Sequence, residues 1–364
     1  MTDVLAGVAA FGIAGPGAKL ASEPLEVTAW QTLVRQVAAE RIEGLLAAAV
    51  GCGALPTDAG QLASVREMAR GRAKVDVAIE RETLRASAVL TDARVEHRLL
   101  KGPALAHRFY PDPSWRGFGD VDLLVAGTAW YRAIGALESS GARRPLPELR
   151  PGFDGRFGKE ATLLTASGIE LDLHRTLVVG PYGLWIDPAR LLARPPGLLK
   201  VGGVQLPVLD AAAAFVHACY NAVLADDPPR LIAVRDVAQM ALGEWFDPDE
   251  AVALAAEWRG LAVVARALDL VRTSLGIDVS TTRVAAALTG KGTPMRDRLL
   301  MWTYRGAGRG YTSQLAGVLA LRGTADKVAY LSSLARPQSS YLEARGWSPR
   351  RYLAHAARRV AGRA

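Results

Sequence analysis

The sequence predicts a mixed α+β fold, in which a small β-sheet is preceded and followed by helices. Segments at residues 120–125 and 169–175 alternate side chains with the two-residue period of a β-strand. Apolar residues instead recur with the helical period in residues 30–50 and again from residue 210 onward. Only 7% of the residues are aromatic, while alanine and leucine are abundant, which favours helices in the remainder.

These patterns predict three regions: N-terminal helices at 1–94, a mixed core at 95–209 and an all-α C-terminal domain at 210–364. The predicted elements are, in chain order, helices at 30–50 and 58–94, a strand at 95–100, a helix at 104–109, a strand at 120–125, a helix at 129–139, strands at 159–166 and 169–175, short strand-like pieces at 198–201 and 204–208 in a loop-rich stretch, and helices at 210–224, 229–242, 247–256, 260–275, 280–288 and 294–304. Within the core, this order predicts a small sheet with helices on one side, and the turn at Ser167-Gly168 predicts a hairpin.

The overall charge is basic, with 44 Lys and Arg residues against 36 Asp and Glu and a net charge of +8. An arginine-rich excess suits phosphate-bearing ligands, although it does not establish nucleic-acid binding. Cys52 and Cys219 form no disulfide framework and lack metal-binding spacing, which favours the cytoplasm. Residues 1–20 do not resemble a signal peptide, and we expect no membrane contact because no long uncharged apolar run is present.

Asp120 and Asp122 flank one apolar residue at the start of a predicted strand, so both carboxylates point to the same face. Two adjacent carboxylates repel each other unless a cation lies between them. A pair of Mg²⁺ ions meets this need, because hard cations bind carboxylates and phosphates together. The alternative is a solvated Asp-Val-Asp turn without a ligand, which is common for so short a motif.

The strand predicted at 169–175 carries a second set of polar residues. Its core face is formed by Ile169, Leu171 and Leu173, and its polar face by Glu170, Asp172 and His174. If this strand neighbours residues 120–125, Asp172 completes a three-carboxylate cluster. The alternative is a surface aspartate on an exposed hairpin, and Glu170 is the less favoured substitute for Asp172.

Two cationic residues lie upstream of the aspartates. Lys101 and Gly102 follow a predicted buried strand, where a glycine lets the backbone approach a phosphate and a helix start favours anions. Lys101 is therefore a candidate phosphate ligand, and the alternative is a surface lysine before a turn. Arg116 is expected to pair with an aspartate or with a phosphate, because its planar guanidinium fits both.

In combination, these motifs resemble those of the nucleotidyltransferase (DNA polymerase beta-like) superfamily. More narrowly, the chain is similar to the bacterial family called uncharacterised nucleotidyltransferase, from about Trp30 to the C-terminal helix. The matching positions are Lys101 and Gly102, then Arg116, Asp120 and Asp122, then Asp172 and His174. One difference is that Lys101-Gly102-Pro103 stands where the superfamily usually has Gly-Ser or Gly-Gly.

The resemblance implies a magnesium-dependent nucleotidyltransferase with the superfamily's sheet core. Two Mg²⁺ ions would be bound by Asp120, Asp122 and Asp172, and Asp172 would also accept the proton of the attacking hydroxyl. The nucleoside triphosphate (NTP) would contact Lys101, Gly102, Arg116 and His174. An acceptor oxygen of a small molecule or peptide would displace pyrophosphate, and His174 is otherwise an ordinary strand-end histidine.

Two other functions remain open at this point. One is a nucleic-acid-modifying enzyme similar to the toxins that add nucleotides to tRNA, which the basic charge permits. The other is a catalytically silent module that binds a nucleotide or a partner. The sequence also leaves open whether further polar residues join the site, namely Glu170, Lys159, His217, Arg230 and Asp236.

Overall fold

A six-stranded mixed β-sheet lies at the centre of the computed structural model, which describes residues 2–13, 19–306 and 309–360. The strands are β1 (His97–Leu99), β2 (Val121–Val125), β3 (Glu160–Leu164), β4 (Glu170–His174), β5 (Gly197–Val201) and β6 (Val204–Val208), and they are arranged in the order β3-β4-β2-β1-β6-β5. Strand β2 pairs antiparallel with β1 and parallel with β4, while β3 and β4 form the predicted hairpin.

The α-helices of the described residues surround this sheet. They are α1 (Thr2–Ala10), α2 (Val27–Glu40), α3 (Glu43–Gly51), α4 (Ala59–Asp92), α5 (Lys101–Phe109), α6 (Trp130–Ser139), α7 (Phe153–Arg156), α8 (Gly180–Trp185), α9 (Pro188–Leu192), α10 (Ala211–Tyr220), α11 (Leu231–Ala241), α12 (Pro248–Glu257), α13 (Leu261–Leu275), α14 (Arg283–Leu288), α15 (Met295–Trp302), α16 (Arg309–Ala316), α17 (Thr324–Ala335), α18 (Ser339–Ala344) and α19 (Pro349–Val360). The predicted mixed fold with helices on both sides of the core segment is therefore confirmed. The domain boundaries at residues 94 and 209 stay a prediction.

Strand β2 is buried on both faces because it lies inside the sheet. Val121 and Leu123 belong to a hydrophobic core with Ile79 of α4 and Trp130 of α6, which cover that face. Leu124 points the other way and belongs to a second core with the N-terminal and C-terminal helices. We predicted helices on one side of the sheet, whereas helices cover both of its faces.

Strands β5 and β6 extend the sheet, which the sequence alone did not predict. We expected strand-like pieces here, outside the core sheet. Instead, β6 pairs parallel with β1 through Leu99 and Val208, and β5 pairs antiparallel with β6. A parallel pairing between segments so far apart in the chain leaves no local sequence signal.

The helix predicted at residues 30–50 is two helices, so this expectation is wrong in detail. Helix α2 ends at Arg41, whose φ of 58° is left-handed and stops the helical hydrogen-bond ladder. Helix α3 begins after Ile42 and runs in a new direction. A left-handed turn normally uses glycine or asparagine, so no turn residue marks this break in the sequence.

Helix α11 connects the N-terminal helix to the rest of the protein. Arg235 is fully buried, and its NH1 group donates hydrogen bonds to the carbonyl oxygens of Ala9 at 2.9 Å and Phe11 at 2.7 Å. Buried charges are tolerated only when they find partners of this kind. The first helix is therefore fixed to α11 by a charged side chain as well as by apolar packing.

Asp247 caps α12, because its side chain accepts a hydrogen bond from the Asp249 backbone and Pro248 follows it. In the described part of the chain, no helix combines the length and the apolar character that crossing a membrane would need.

A buried histidine connects β1 to α4. The Nδ1 atom of His97 lies 3.0 Å from the Val95 carbonyl, so this nitrogen must carry the proton, and Nε2 accepts from the Ser87 hydroxyl at 2.7 Å. Burial lowers the pKa of His97 below its ordinary value, and the neighbouring Arg98 acts in the same direction. The folded protein therefore keeps this histidine neutral.

The buried, neutral His97 predicts that the protein loses stability in weak acid. Below the unfolded-state pKa of about 6.5, the unfolded chain binds a proton at this position that the folded chain resists. The free energy of unfolding should therefore be fully retained above that pH and should decrease as the pH is lowered from 7.5 to 5. The His97→Gln variant should show a shallower decrease in urea titrations across this range, and equal slopes for both proteins would contradict the prediction.

Candidate active site

The register of β2 and β4 brings the predicted site residues together. Asp122 lies directly opposite Asp172, and Leu124 lies opposite His174. One carboxylate oxygen from each aspartate and one ring nitrogen of His174 all lie within 4.8 Å of one another. Of the predicted site residues, these three form a compact group on one face of the sheet.

Asp122 is the buried centre of this group, with 2% of its surface exposed. Its Oδ1 atom lies 2.8 Å from the Lys101 ammonium and 2.8 Å from Nε2 of His174. Burial would raise the pKa of Asp122, but Lys101 and His174 outweigh this effect and hold the pKa far below its usual range. Asp122 is therefore a permanent anion in the interior of the protein.

Asp172 has a different environment, because it is only partly buried. Its Oδ1 atom accepts a hydrogen bond from the Thr162 hydroxyl at 2.6 Å. Burial and the nearby Glu160 carboxylate raise the pKa of Asp172 to about 6, against the opposing effects of Thr162 and His174. This carboxyl group can thus exchange a proton near neutral pH, as a general base must.

The neighbouring strand β3 contributes charged residues to the same face. Nδ1 of His174 lies 3.3 Å from Oε2 of Glu160, which is 2.6 Å from the Lys159 ammonium. Burial would raise the pKa of Glu160, but Lys159 and His174 lower it. Glu160 thus lies at the opposite edge of the His174 ring from Asp122, close to Nδ1 but without a hydrogen bond to it.

The turn after β1 has an unusual backbone. Lys101 has a φ of 21° and Gly102 has a φ of 36° with ψ of −123°, values that L-residues rarely adopt. Burial would lower the pKa of Lys101, but Asp122 and Asp120 raise it above its usual range, so the ammonium stays charged. A strained turn that holds a buried cation against Asp122 is typical of a functional site.

Asp120 lies outside the group of three. Its Oδ1 atom is 3.9 Å from NH1 of Arg41, and both side chains are about one-third exposed, at 30% and 35%. The predicted role of Asp120 as a metal ligand stays a prediction.

Arg116 pairs with an aspartate, although not with one of the predicted site residues. Its Nε and NH2 atoms each donate to the Asp236 carboxylate at 2.8 Å, and Tyr110 donates to the same group at 2.8 Å. NH1 of Arg116 lies 3.4 Å from the Gly102 carbonyl. This buried clamp of Arg116, Tyr110 and Asp236 connects α11 to the strained turn. The Arg116 guanidinium therefore helps to hold the backbone of that turn in place.

The remaining open candidates have different environments in the structure. His217 is buried on α10, where burial and then Lys101 and His174 hold its pKa well below the ordinary value. Glu170 is exposed at the start of β4. Arg230 lies at the N-terminus of α11, 3.8 Å from Asp226 at the protein surface.

A cleft of about 740 Å³ opens beside the group, along the edge strand β3. Its sheet side is formed by Gly158, Lys159, Glu160, Ala161 and Thr162. Its opposite side is formed by the C-terminal part of the chain, mainly Tyr304, Tyr311, Gln314, Tyr341, Arg345, Tyr352 and His355. Thr162 lines the cleft and donates a hydrogen bond to Asp172, whereas Asp122, Asp172 and His174 do not line it themselves. The volume is typical of sites for small molecules.

Sequence reasoning missed several of these participants. Thr162 and Glu160 lie on the predicted hairpin, and the cross-strand positions of Asp172 and His174 could have identified them once the register was known. No sequence pattern identified Arg41 as a site residue, because the helix break that positions it contains no residue typical of a turn.

The donor set fits a divalent cation. Two carboxylate oxygens suit Mg²⁺, and the imidazole nitrogen is also acceptable to metals such as Mn²⁺. Glu160 lies 3.3 Å from the other ring nitrogen of His174, where metal-binding histidines usually have a hydrogen-bonded partner.

The model of the uncharacterised nucleotidyltransferase family matches residues 26–276. This chain belongs to that family. The matched segment contains the strands, the aspartates and the strained turn described above, whereas most of the C-terminal side of the cleft lies beyond it.

Other comparisons add little. One similar solved structure is an antigenic nucleotidyltransferase-like protein from Paracoccidioides brasiliensis, with 14% identity, a TM-score of 0.29 and coverage of 61% of this chain and 95% of that chain. At that score, it supports no inference about function. No curated protein matches the chain.

The buried clamp predicts a large stability difference between two substitutions on α11. Asp236→Ala leaves the Arg116 guanidinium buried without its partner and should lower the free energy of unfolding by about 3–5 kcal/mol. Arg230→Ala removes only an exposed charge pair and should cost less than about 1 kcal/mol. Urea unfolding measures both values, and similar losses would show that the clamp does not stabilise the fold.

Proposed function

We propose that the protein transfers a nucleoside monophosphate from an NTP to a hydroxyl or phosphate group of a small molecule or peptide. The observation that carries this proposal is the meeting of Asp122, Asp172 and His174 on the sheet, where Thr162 connects Asp172 to a neighbouring cleft. Membership of the nucleotidyltransferase family supports the reaction class. The geometry supports the division of roles among the residues.

The candidate groups form a row across four strands. Lys101 follows β1, Asp122 lies on β2, Asp172 and His174 lie on β4, and Thr162 lies on β3. Since neighbouring strands are about 4.8 Å apart, the row is long enough to bind the reactants side by side. The triphosphate is expected over Lys101 and Gly102, and the acceptor is expected in the cleft beside Thr162.

The reaction then needs few covalent roles from the protein. The acceptor oxygen bonds to the α-phosphorus, the bond from this phosphorus to the bridging oxygen breaks, and pyrophosphate leaves. Asp172 accepts the acceptor's proton, since its carboxylate lies beside Thr162, which lines the cleft. Lys101 neutralises developing negative charge, and most of the rate enhancement comes from positioning and electrostatics.

Asp122, Asp172 and His174 would bind the metal, with Asp120 as the further predicted ligand. A bound Mg²⁺ would supply Lewis-acid stabilisation of charge on the transferred phosphate. Asp122 is suited to this role because its pKa is held far below the usual range, which favours the ionised form that a metal ligand needs.

The cleft favours a small acceptor over a long polymer. Its volume matches one small molecule or a few residues of a peptide. Aromatic rings and one arginine face it from the C-terminal helices, and Arg345 itself stacks 5.2 Å from the rings of Tyr341 and Trp347. Such a surface suits flat or hydroxyl-bearing groups that also need hydrogen bonds.

The direct test is release of pyrophosphate from each of the four NTPs in the presence of Mg²⁺ and a fractionated metabolite extract. Asp122→Asn and Asp172→Asn should each lower the rate of pyrophosphate release by about 100-fold or more, because each removes a metal ligand. Asp172→Asn also removes the proposed general base. The product is identified by mass spectrometry as an acceptor carrying one added nucleoside monophosphate.

Glu170→Gln provides the matched control, because it removes an exposed carboxylate from the same strand as Asp172. This variant should release pyrophosphate at the wild-type rate. Undiminished rates in Asp122→Asn and Asp172→Asn, with the added mass still formed, would contradict the proposed roles. Tight NTP binding with no turnover in any fraction would instead indicate a silent module.

A further inference from the structure

Arg41 occupies a specific place beside the candidate site. The left-handed backbone at the end of α2 turns this residue towards the start of β2, where its guanidinium lies 3.9 Å from Asp120. About one-third of the side chain, 35%, remains exposed. The backbone N–H of Arg41 donates to the Ala38 carbonyl at 3.2 Å, so the unusual φ is fixed by the helix end itself.

The space that the guanidinium fills exists only because residue 119 is glycine. A Cβ atom on Gly119 would lie 2.5 Å from the Cζ atom of Arg41 and 2.5 Å from its NH1. Gly119 does not have a positive φ, so its backbone does not require glycine. Glycine at residue 119 therefore leaves the space that the Arg41 guanidinium occupies.

Arg41 also has unused binding capacity. A guanidinium carries five N–H donors, and among the residues that the structure describes, only the long contact with Asp120 lies within ion-pair distance of it. At 3.9 Å, that contact is looser than the 2.8 Å hydrogen bonds of the Arg116 clamp. A partly exposed arginine with free donors is suited to bidentate binding of phosphate oxygens.

The neighbouring groups indicate which ligand it would bind. Asp120 lies 3.9 Å from Arg41, and its charge also raises the pKa of Lys101. A Cβ atom on Gly102 would lie 3.9 Å from the Asp120 carbonyl oxygen, so the turn is close to this residue. Arg41 and Lys101 are thus both close enough to Asp120 to act on the same charged ligand at this end of the site. Arg41 comes from the N-terminal helices, whereas Lys101 comes from the sheet.

We infer that Arg41 binds the triphosphate of the nucleotide, and that Gly119 is a positioning residue that leaves room for its guanidinium. This inference rests on the proposed function, because it assigns a ligand to one end of the same row of groups. When phosphate oxygens are present, the guanidinium has better acceptors than the distant Asp120 carboxylate. The N-terminal helices therefore contribute directly to substrate binding.

The test measures binding of inorganic tripolyphosphate to the full chain by calorimetry, so that no nucleobase contributes. Arg41→Gln should weaken binding about tenfold or more, the scale of hydrogen bonds to charged groups. Arg41→Lys should recover part of the loss. Arg35→Gln is the matched control, because Arg35 is an exposed arginine on α2 whose side chain donates to the Thr32 hydroxyl at 3.0 Å. Tripolyphosphate binding by this variant should be unchanged.

Gly119→Ala tests the position of the arginine without removing it. The new Cβ would meet the far end of a flexible side chain, so the fold should persist while the guanidinium moves. This variant should weaken tripolyphosphate binding to a similar extent, and the double variant Gly119→Ala with Arg41→Gln should be no weaker than Arg41→Gln alone. An additive loss would mean that residue 119 acts independently of Arg41.

Binding of Mn²⁺ in the absence of phosphate distinguishes a ligand role from a structural one. Removing the positive charge of Arg41 should leave Mn²⁺ affinity equal or higher, because a cation near the carboxylates opposes a second one. Loss of both Mn²⁺ and tripolyphosphate binding would overturn the inference, since it would indicate a damaged site. Wild-type tripolyphosphate affinity in Arg41→Gln would overturn it as well.

The failure of this inference can be separated from that of the proposed function. If the wild type transfers a nucleotide but Arg41→Gln has an unchanged KM for NTP, only the role of Arg41 is wrong. If Arg41 governs tripolyphosphate binding while no NTP releases pyrophosphate, only the proposed reaction is wrong. A wild type that binds neither tripolyphosphate nor NTP would overturn both.

Discussion

The buried negative charge of Asp122 is the constraint on which the rest of the structure depends. A carboxylate with 2% exposure in the middle of a sheet is unfavourable unless cations contact it. The Lys101 ammonium forms an ion pair with the Oδ1 atom of Asp122 at 2.8 Å, and Nε2 of His174 lies within hydrogen-bond distance of the same atom at 2.8 Å. The strained turn brings Lys101 inward, while parallel pairing of β2 with β4 places His174 within reach.

Around this charge, parts of the chain that are distant in sequence support the site from different directions. The Arg116–Asp236 pair connects the strained turn at Gly102 to α11, and the helix break at Arg41 brings the N-terminal helices to the opposite side. The C-terminal helices form the far side of the cleft. The sheet therefore supplies the acidic centre, and the helices determine what can approach it.

Alternating residues were sufficient to predict the central strands, the hairpin and the shared face of Asp172 and His174, because a period of two survives in any strand with one apolar side. The sequence indicated that Asp172 would join Asp122 only if the two strands were neighbours, and in the structure β2 and β4 do pair. Long-range pairs were not predictable. Asp236 as the partner of Arg116, and β6 beside β1, depend on tertiary packing that local patterns do not encode.

The burial of Arg235 gives the first helix an importance that its short length would not suggest. Removal of the chain up to Phe11 would leave the NH1 group of this arginine without either of its carbonyl acceptors, inside an apolar core. The next residue along α11 is Asp236, which holds Arg116 behind the Gly102 turn. N-terminal trimming would thus disturb the helix that supports the Gly102 turn, although none of the removed residues belongs to the candidate site.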